Sequence, residues 1–147
     1  MYRQMIRVIP RTQDEIHLLE IGAGPGYGTS QLRDELRNLD FKFFLDVHEY
    51  SEVNRFYLSM IVSPMQLFIT SLDNVPPKKY DVILLTNCIR DPNSLTPFVH
   101  ESTVIIIRYP KMLKRFLESR FVCSMSDESH WYFGVYRCYL KTNAVLY

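Results

Sequence analysis

The chain has no run of about twenty apolar residues such as a membrane span needs, and its N-terminus has no signal-peptide core. Both absences point to a cytoplasmic protein with no membrane partner. Cysteine is scarce: Cys88, Cys123 and Cys138 are odd in number and widely spaced, so they fit neither a disulfide framework nor a zinc site. We expect reduced, buried thiols and no bound metal. Repeats, low-complexity runs and linkers are missing too, which leaves residues 1–147 as a single domain. A chain this long buries about two-thirds of its unfolded surface. Net charge is only +1, so any polyanion partner would have to be met by a local basic face. One candidate is the segment 1–15, where Arg3, Arg7 and Arg11 precede the first acid, Asp14.

Glycine is also scarce, and four of the five glycines stand together in Leu18-Leu19-Glu20-Ile21-Gly22-Ala23-Gly24-Pro25-Gly26-Tyr27-Gly28-Thr29-Ser30. An apolar strand runs into an acid, then a glycine turn, then a helix start. Such a turn lets backbone approach a ligand closely, and the free N–H groups of the following helix point at the same place. A phosphate loop needs Gly-x4-Gly-Lys-Ser/Thr, and no lysine precedes Lys42. A dinucleotide fingerprint needs Gly-x-Gly-x-x-Gly, and the position three after Gly24 is Tyr27. The pattern that fits is acid-x-Gly-x-Gly-x-Gly, met by Glu20, Gly22, Gly24 and Gly26.

In this motif the chain resembles the class I S-adenosylmethionine-dependent methyltransferases. The resemblance implies a Rossmann-like α/β fold: a mostly parallel seven-stranded sheet, a C-terminal antiparallel hairpin and helices on both faces. Alternating short apolar runs and helical stretches agree. Strands are predicted at Ile16–Ile21, Lys42–His48, Gln66–Thr70, Tyr80–Asn87, Thr103–Arg108, Phe121–Ser126 and His130–Leu140. Helices are predicted at Thr29–Leu39, Ser51–Ile61, Asn93–His100 and Pro110–Ser119. The family commonly has helices before its first strand, whereas only about fifteen residues precede this one.

The implied cofactor is S-adenosylmethionine, with S-adenosylhomocysteine (SAH) as product. The resemblance places Glu20, Gly22, Ala23, Gly24 and Gly26 around it. The second strand should end in a carboxylate for the ribose hydroxyls; Asp46 and Glu49 compete. Glu49 is preferred because Glu49-Tyr50-Ser51-Glu52 reads as a strand end followed by a helix-capping serine. Ser71, Leu72 and Asp73 fall where the family encloses adenine, while Asp81, at the start of the fourth strand, reads as structural.

The acceptor is approached by exclusion. The Asn/Asp-Pro-Pro-aromatic motif of amino-base enzymes is replaced by Thr86-Asn87-Cys88-Ile89. The Lys-Asp-Lys-Glu set of ribose 2′-O enzymes is absent unless Asp91 substitutes, and Arg108 cannot act as a lysine-like base. The two-glutamate loop of protein-arginine enzymes is missing. Guanine N7 needs no base, only positioning and electrostatics. Arg108, Tyr109, Lys111 and Lys114, with His130, Trp131, Tyr132 and Phe133, offer cations and stacking surfaces for a capped RNA (GpppN) or nucleotide. The same aromatics also suit a buried hairpin. The expected function is thus cap guanine-N7 methylation in RNA capping, with Asn87, Arg108 and Tyr132 acting on the acceptor. A cap ribose 2′-O enzyme, a small-molecule methyltransferase and an inactive cofactor-binding partner are the alternatives. The minimal size and tyrosine- and methionine-rich makeup resemble a viral, polyprotein-derived domain of the host cytoplasm.

Overall fold

The computed structural model describes residues 2–9, 11, 15–63, 66–68, 71–86, 89, 91–108, 112–125 and 136–141. The described residues hold seven strands: β1 (Ile16–Ile21), β2 (Phe43–His48), β3 (Gln66–Phe68), β4 (Val82–Leu85), β5 (Val104–Ile107), β6 (Phe121–Met125) and β7 (Tyr136–Leu140). They form one sheet in the order β3-β2-β1-β4-β5-β7-β6. β1 to β5 are parallel, while β7 runs antiparallel to both β5 and β6. This is the sheet expected from the resemblance, closing hairpin included.

The central strands read Val-Ile-Leu-Leu and Val-Ile-Ile-Ile and are buried on both faces, as parallel strands covered by helices must be. Leu18, Val47, Leu84 and Ile106 face α1 (Tyr2–Arg7), α2 (Tyr27–Asn38) and α3 (Glu52–Ile61). Leu19, Ile83 and Ile105 face the 3₁₀ helix η2 (Pro92–Phe98) and α4 (Leu113–Glu118) through Leu95, Phe98 and Phe116. A second 3₁₀ helix, η1 (Leu72–Asn74), follows β3. Each fully buried aliphatic or aromatic side chain contributes about 1.5–3 kcal/mol.

Four expectations need correction. First, the N-terminal segment is not a basic arm: Tyr2, Met5, Ile6 and Ile9 recur at helical spacing and are buried against α2. Its arginines are engaged as well, Arg3 with Glu35 at 3.2 Å and Arg11 over the Phe41 ring at 5.3 Å. Second, the predicted helix Asn93–His100 is a 3₁₀ helix, because Pro97 removes a backbone donor inside it. Third, Cys123 and Cys138 are not free thiols: the β6–β7 register sets them directly opposite, with Cα atoms 4.0 Å apart, and they form a disulfide. Fourth, the fourth predicted strand begins two residues later, at Val82: Tyr80 N donates to the Phe98 carbonyl rather than across the sheet, while Asp81 N still donates to the His17 carbonyl and its own carbonyl accepts from Val104 N. Cys88, and the stretch of the last predicted strand from His130 to Val135, lie outside the described residues. No helix among the described residues is long and apolar enough to cross a membrane.

Candidate functional site

Strand order reverses between β1 and β4, and in an open α/β sheet the ligand crevice lies at the carboxyl ends of the strands beside such a reversal. Glu20, near the end of β1, lies there on the α2 side of the sheet. After it the chain turns through Gly22, Gly24 and Gly26, all at positive φ. The Thr86 hydroxyl, just past β4, donates to the carbonyls of Ile21 and Gly22 and pins the turn to the sheet. Two glycines are required for different reasons. At Gly26 (φ 95°) an added Cβ would stand 2.7 Å from Leu58 Cδ1, so α3 packs directly onto the turn. At Gly24 (φ 63°) an added Cβ would meet nothing within 4 Å, so this glycine borders open space.

Glu20 is fully buried, and neither carboxylate oxygen has a hydrogen-bond partner among the described residues. Burial pushes its carboxyl up to about 7. The nearby Thr29 hydroxyl and the Arg108 charge act the other way, while the Glu49 charge adds to the rise. Thr29 is close enough to temper the shift, yet its own Oγ1 is also buried without hydrogen-bond geometry. An unpartnered buried carboxylate is costly, and a cation with N–H donors is the group that would satisfy it.

Glu49 stands at the end of β2 and bridges two neighbours: its Oε2 accepts from Gly24 N at 2.7 Å and its Oε1 from Ser51 N at 2.7 Å. Each oxygen keeps acceptor capacity for a further donor. Asp46 cannot compete for that position. It is buried in mid-strand, where Oδ2 takes both Lys78 Nζ at 2.6 Å and the Tyr80 hydroxyl at 2.8 Å. Burial, and then the Asp46 hydrogen bond and charge, push the Tyr80 phenol above its ordinary range. Asp81 is structural as expected: it accepts from His17 N at 2.8 Å and faces His100 at 3.4 Å.

Beside Glu49 opens a cavity of about 990 Å³. His48, Tyr50, Ser71, Leu72, Asp73, Ile89, Asp91, Asn93, Ser94 and Arg115 line it. The expected residues Ser71, Leu72 and Asp73 therefore share one wall, at η1. Asp91 caps η2, its Oδ1 accepting from Asn93 N at 2.9 Å and from the Asn93 side chain at 3.0 Å. Arg108 follows β5 and lies near enough for its charge to act on Glu20. Lys114 is exposed on α4 and faces Glu118. Asn87, Tyr109, Lys111, His130, Trp131, Tyr132 and Phe133 lie outside the described residues.

Thr86, expected with Asn87 at the carboxyl end of the fourth strand, stands just past β4. Tyr50 and Ile89 were not singled out as site residues from sequence; the signals were position just past a strand end for Tyr50 and a lone apolar residue in a polar loop for Ile89.

The seven-stranded sheet, its reversal point and the acid–glycine turn together define the class I methyltransferase fold. The chain is similar in structure to the ribosomal protein L11 methylase of Lactobacillus delbrueckii subsp. bulgaricus, with a TM-score of 0.66 and 13% identity over 96% of this chain and 78% of that one. It is similar to a TehB-like SAM-dependent methyltransferase from Corynebacterium glutamicum, at 0.68 and 8% over 96% and 87%. The DhpI–SAH complex gives 0.64 and 15% over 94% and 82%. At these identities the likeness establishes the fold. No protein-family model and no curated protein sequence matches the chain.

Proposed function

We propose that this chain is an S-adenosylmethionine-dependent methyltransferase. The observation that carries the reading is the buried, unpartnered Glu20 carboxylate beside a glycine turn that is open at Gly24. The cofactor's ammonium satisfies Glu20, and the turn from Gly22 through Ala23 and Gly24 to Gly26 follows its methionyl part. Glu49 receives the ribose hydroxyls. Ser71, Leu72 and Asp73 enclose the adenine from one side, with Tyr50 and Ile89 completing the apolar walls. That the structural neighbours are methyltransferases supports the same reading.

For the acceptor we infer guanine N7 of an RNA cap, in an enzyme of viral type. When bound, the cofactor would supply an electrophilic methyl on its sulfonium, and the N7 lone pair would be the nucleophile that displaces the sulfur. Such a nucleophile needs placement rather than a base. Asp91, the acid weighed as a stand-in for a 2′-O catalytic aspartate, is occupied as a helix cap, which supports the choice. Arg108 is the described residue assigned to acceptor positioning; Asn87 and Tyr132, assigned with it from sequence, lie outside the described residues. Tritiated S-adenosylmethionine tests this with uncapped, capped and N7-methylated capped short RNAs. Label confined to the unmethylated cap is expected. Label only on the pre-methylated cap would assign ribose 2′-O chemistry, and no label on any RNA would move the acceptor to a small molecule.

A further inference from the structure

α3 wears its apolar stripe outward. Val53, Phe56, Tyr57 and Met60 recur at i, i+3, i+4 and i+7, the spacing of a core-facing helix, yet they are 65%, 63%, 46% and 71% exposed. The inward face is held by Leu58 instead, against Gly26. Phe56 and Tyr57 pack edge to face at 5.5 Å in the middle of the stripe, and Tyr50, just before the helix, is 75% exposed.

We infer that this face binds a second copy of the chain, α3 against α3, around a two-fold axis between Phe56 and Tyr57. The stripe is self-complementary about that point. An antiparallel pairing brings Phe56 onto the second copy's Tyr57 and Val53 onto its Met60, an isologous contact of aromatic centre and aliphatic ends. Charge agrees: the helix carries only Glu52 and Arg55. The pairing sets the two Glu52 carboxylates at opposite ends of a helix about 15 Å long. Arg55 is turned to its own chain, donating to the Tyr50 carbonyl at 2.5 Å. An RNA or an anionic membrane would call for a basic rim, and this helix has none. Area agrees as well. The stripe exposes roughly 500 Å², near the top of what a monomer leaves bare. Two copies therefore cover about 1,000 Å², the lower bound for a biological interface and the size of a weak, reversible dimer.

Sedimentation of the full chain from about 1 to about 100 µM tests the inference. The mass is expected to rise from 17.5 kDa toward twice that value. Phe56→Glu and Tyr57→Lys should each weaken association at least tenfold, with far-ultraviolet circular dichroism unchanged because both side chains are exposed. Mixing the two variants should restore a dimer, since the two-fold axis sets position 56 against position 57. A parent that stays monomeric throughout overturns the inference. So does association that survives both substitutions, or a mixture that fails to pair. A monomer that binds anionic vesicles or RNA through Phe56 would overturn it in favour of that occupant.

Discussion

Exchanging Glu20 for glutamine isolates the buried carboxylate from everything else at the site. The folded chain holds this group at about 7, against an ordinary value of 4.5. Between those values the folded chain keeps a proton that the unfolded chain has released, so stability falls as pH rises through the window. The full loss, about 3 kcal/mol, is present above the folded value and absent below 4.5. Glutamine has the same shape and never ionises. Without cofactor, Glu20→Gln should match the parent near pH 4.5 and exceed it by up to about 3 kcal/mol at pH 8. In thermal melts that is an upward shift of about 6–12 °C for a domain of this size. Saturating S-adenosylmethionine should then reverse the ranking, because its ammonium stabilises the carboxylate but gains little from an amide. The assay is a melt series from pH 4.5 to 8.5, with and without cofactor. A glutamine variant no more stable than the parent at pH 8 without cofactor would refute the reasoning.

Other substitutions probe the frame around that group. Gly26→Ala places a Cβ 2.7 Å from Leu58 Cδ1 and 3.1 Å from its Cα at a φ of 95°, and should cost about 2–3 kcal/mol in denaturant melts. Gly28→Ala drives a Cβ into the Tyr2 ring and should release α1, read as faster amide exchange over residues 2–9 without loss of the sheet. Lys78→Met strands the buried Asp46 carboxylate and should cost about 3 kcal/mol. Asp46→Asn leaves a half-exposed ammonium that water can reach and still accepts from the Tyr80 hydroxyl, so it should cost less, and denaturation midpoints should rank the two in that order. Thr86→Val removes the hydroxyl that holds the Ile21 and Gly22 carbonyls and should cost about 1–2 kcal/mol in the same melts.

What could be read from sequence followed the range of the interactions involved. β1 and the turn after it were legible because a strand, an acid and spaced glycines are local signals. That β2 ends just before Glu49, with Asp46 inside it, was legible too, since a capping serine two residues on fixes where the strand ends. The role of α1 was not, although Tyr2, Met5, Ile6 and Ile9 carry a helical period, because a six-residue helix with arginines between its apolar positions is too short for a strong local signal. Periodicity marked α3 but could not say which way its stripe faces, because direction depends on Leu58 and Gly26 meeting across the fold. The Cys123–Cys138 bond depends on hairpin register, which spacing alone leaves open. The Lys78–Asp46–Tyr80 cluster joins residues over thirty positions apart, beyond any local pattern.

The central claim is that the Gly24 turn and Glu20 hold S-adenosylmethionine, and calorimetric titration of the cofactor into the parent and Gly24→Val tests it most directly. The new side chain enters open space, so the variant should fold with about 1–3 kcal/mol of backbone strain, which a melt verifies. The account predicts one cofactor per parent chain and binding at least tenfold weaker in the folded variant. A parent that binds none, or a folded Gly24→Val that binds as tightly as the parent, would contradict it.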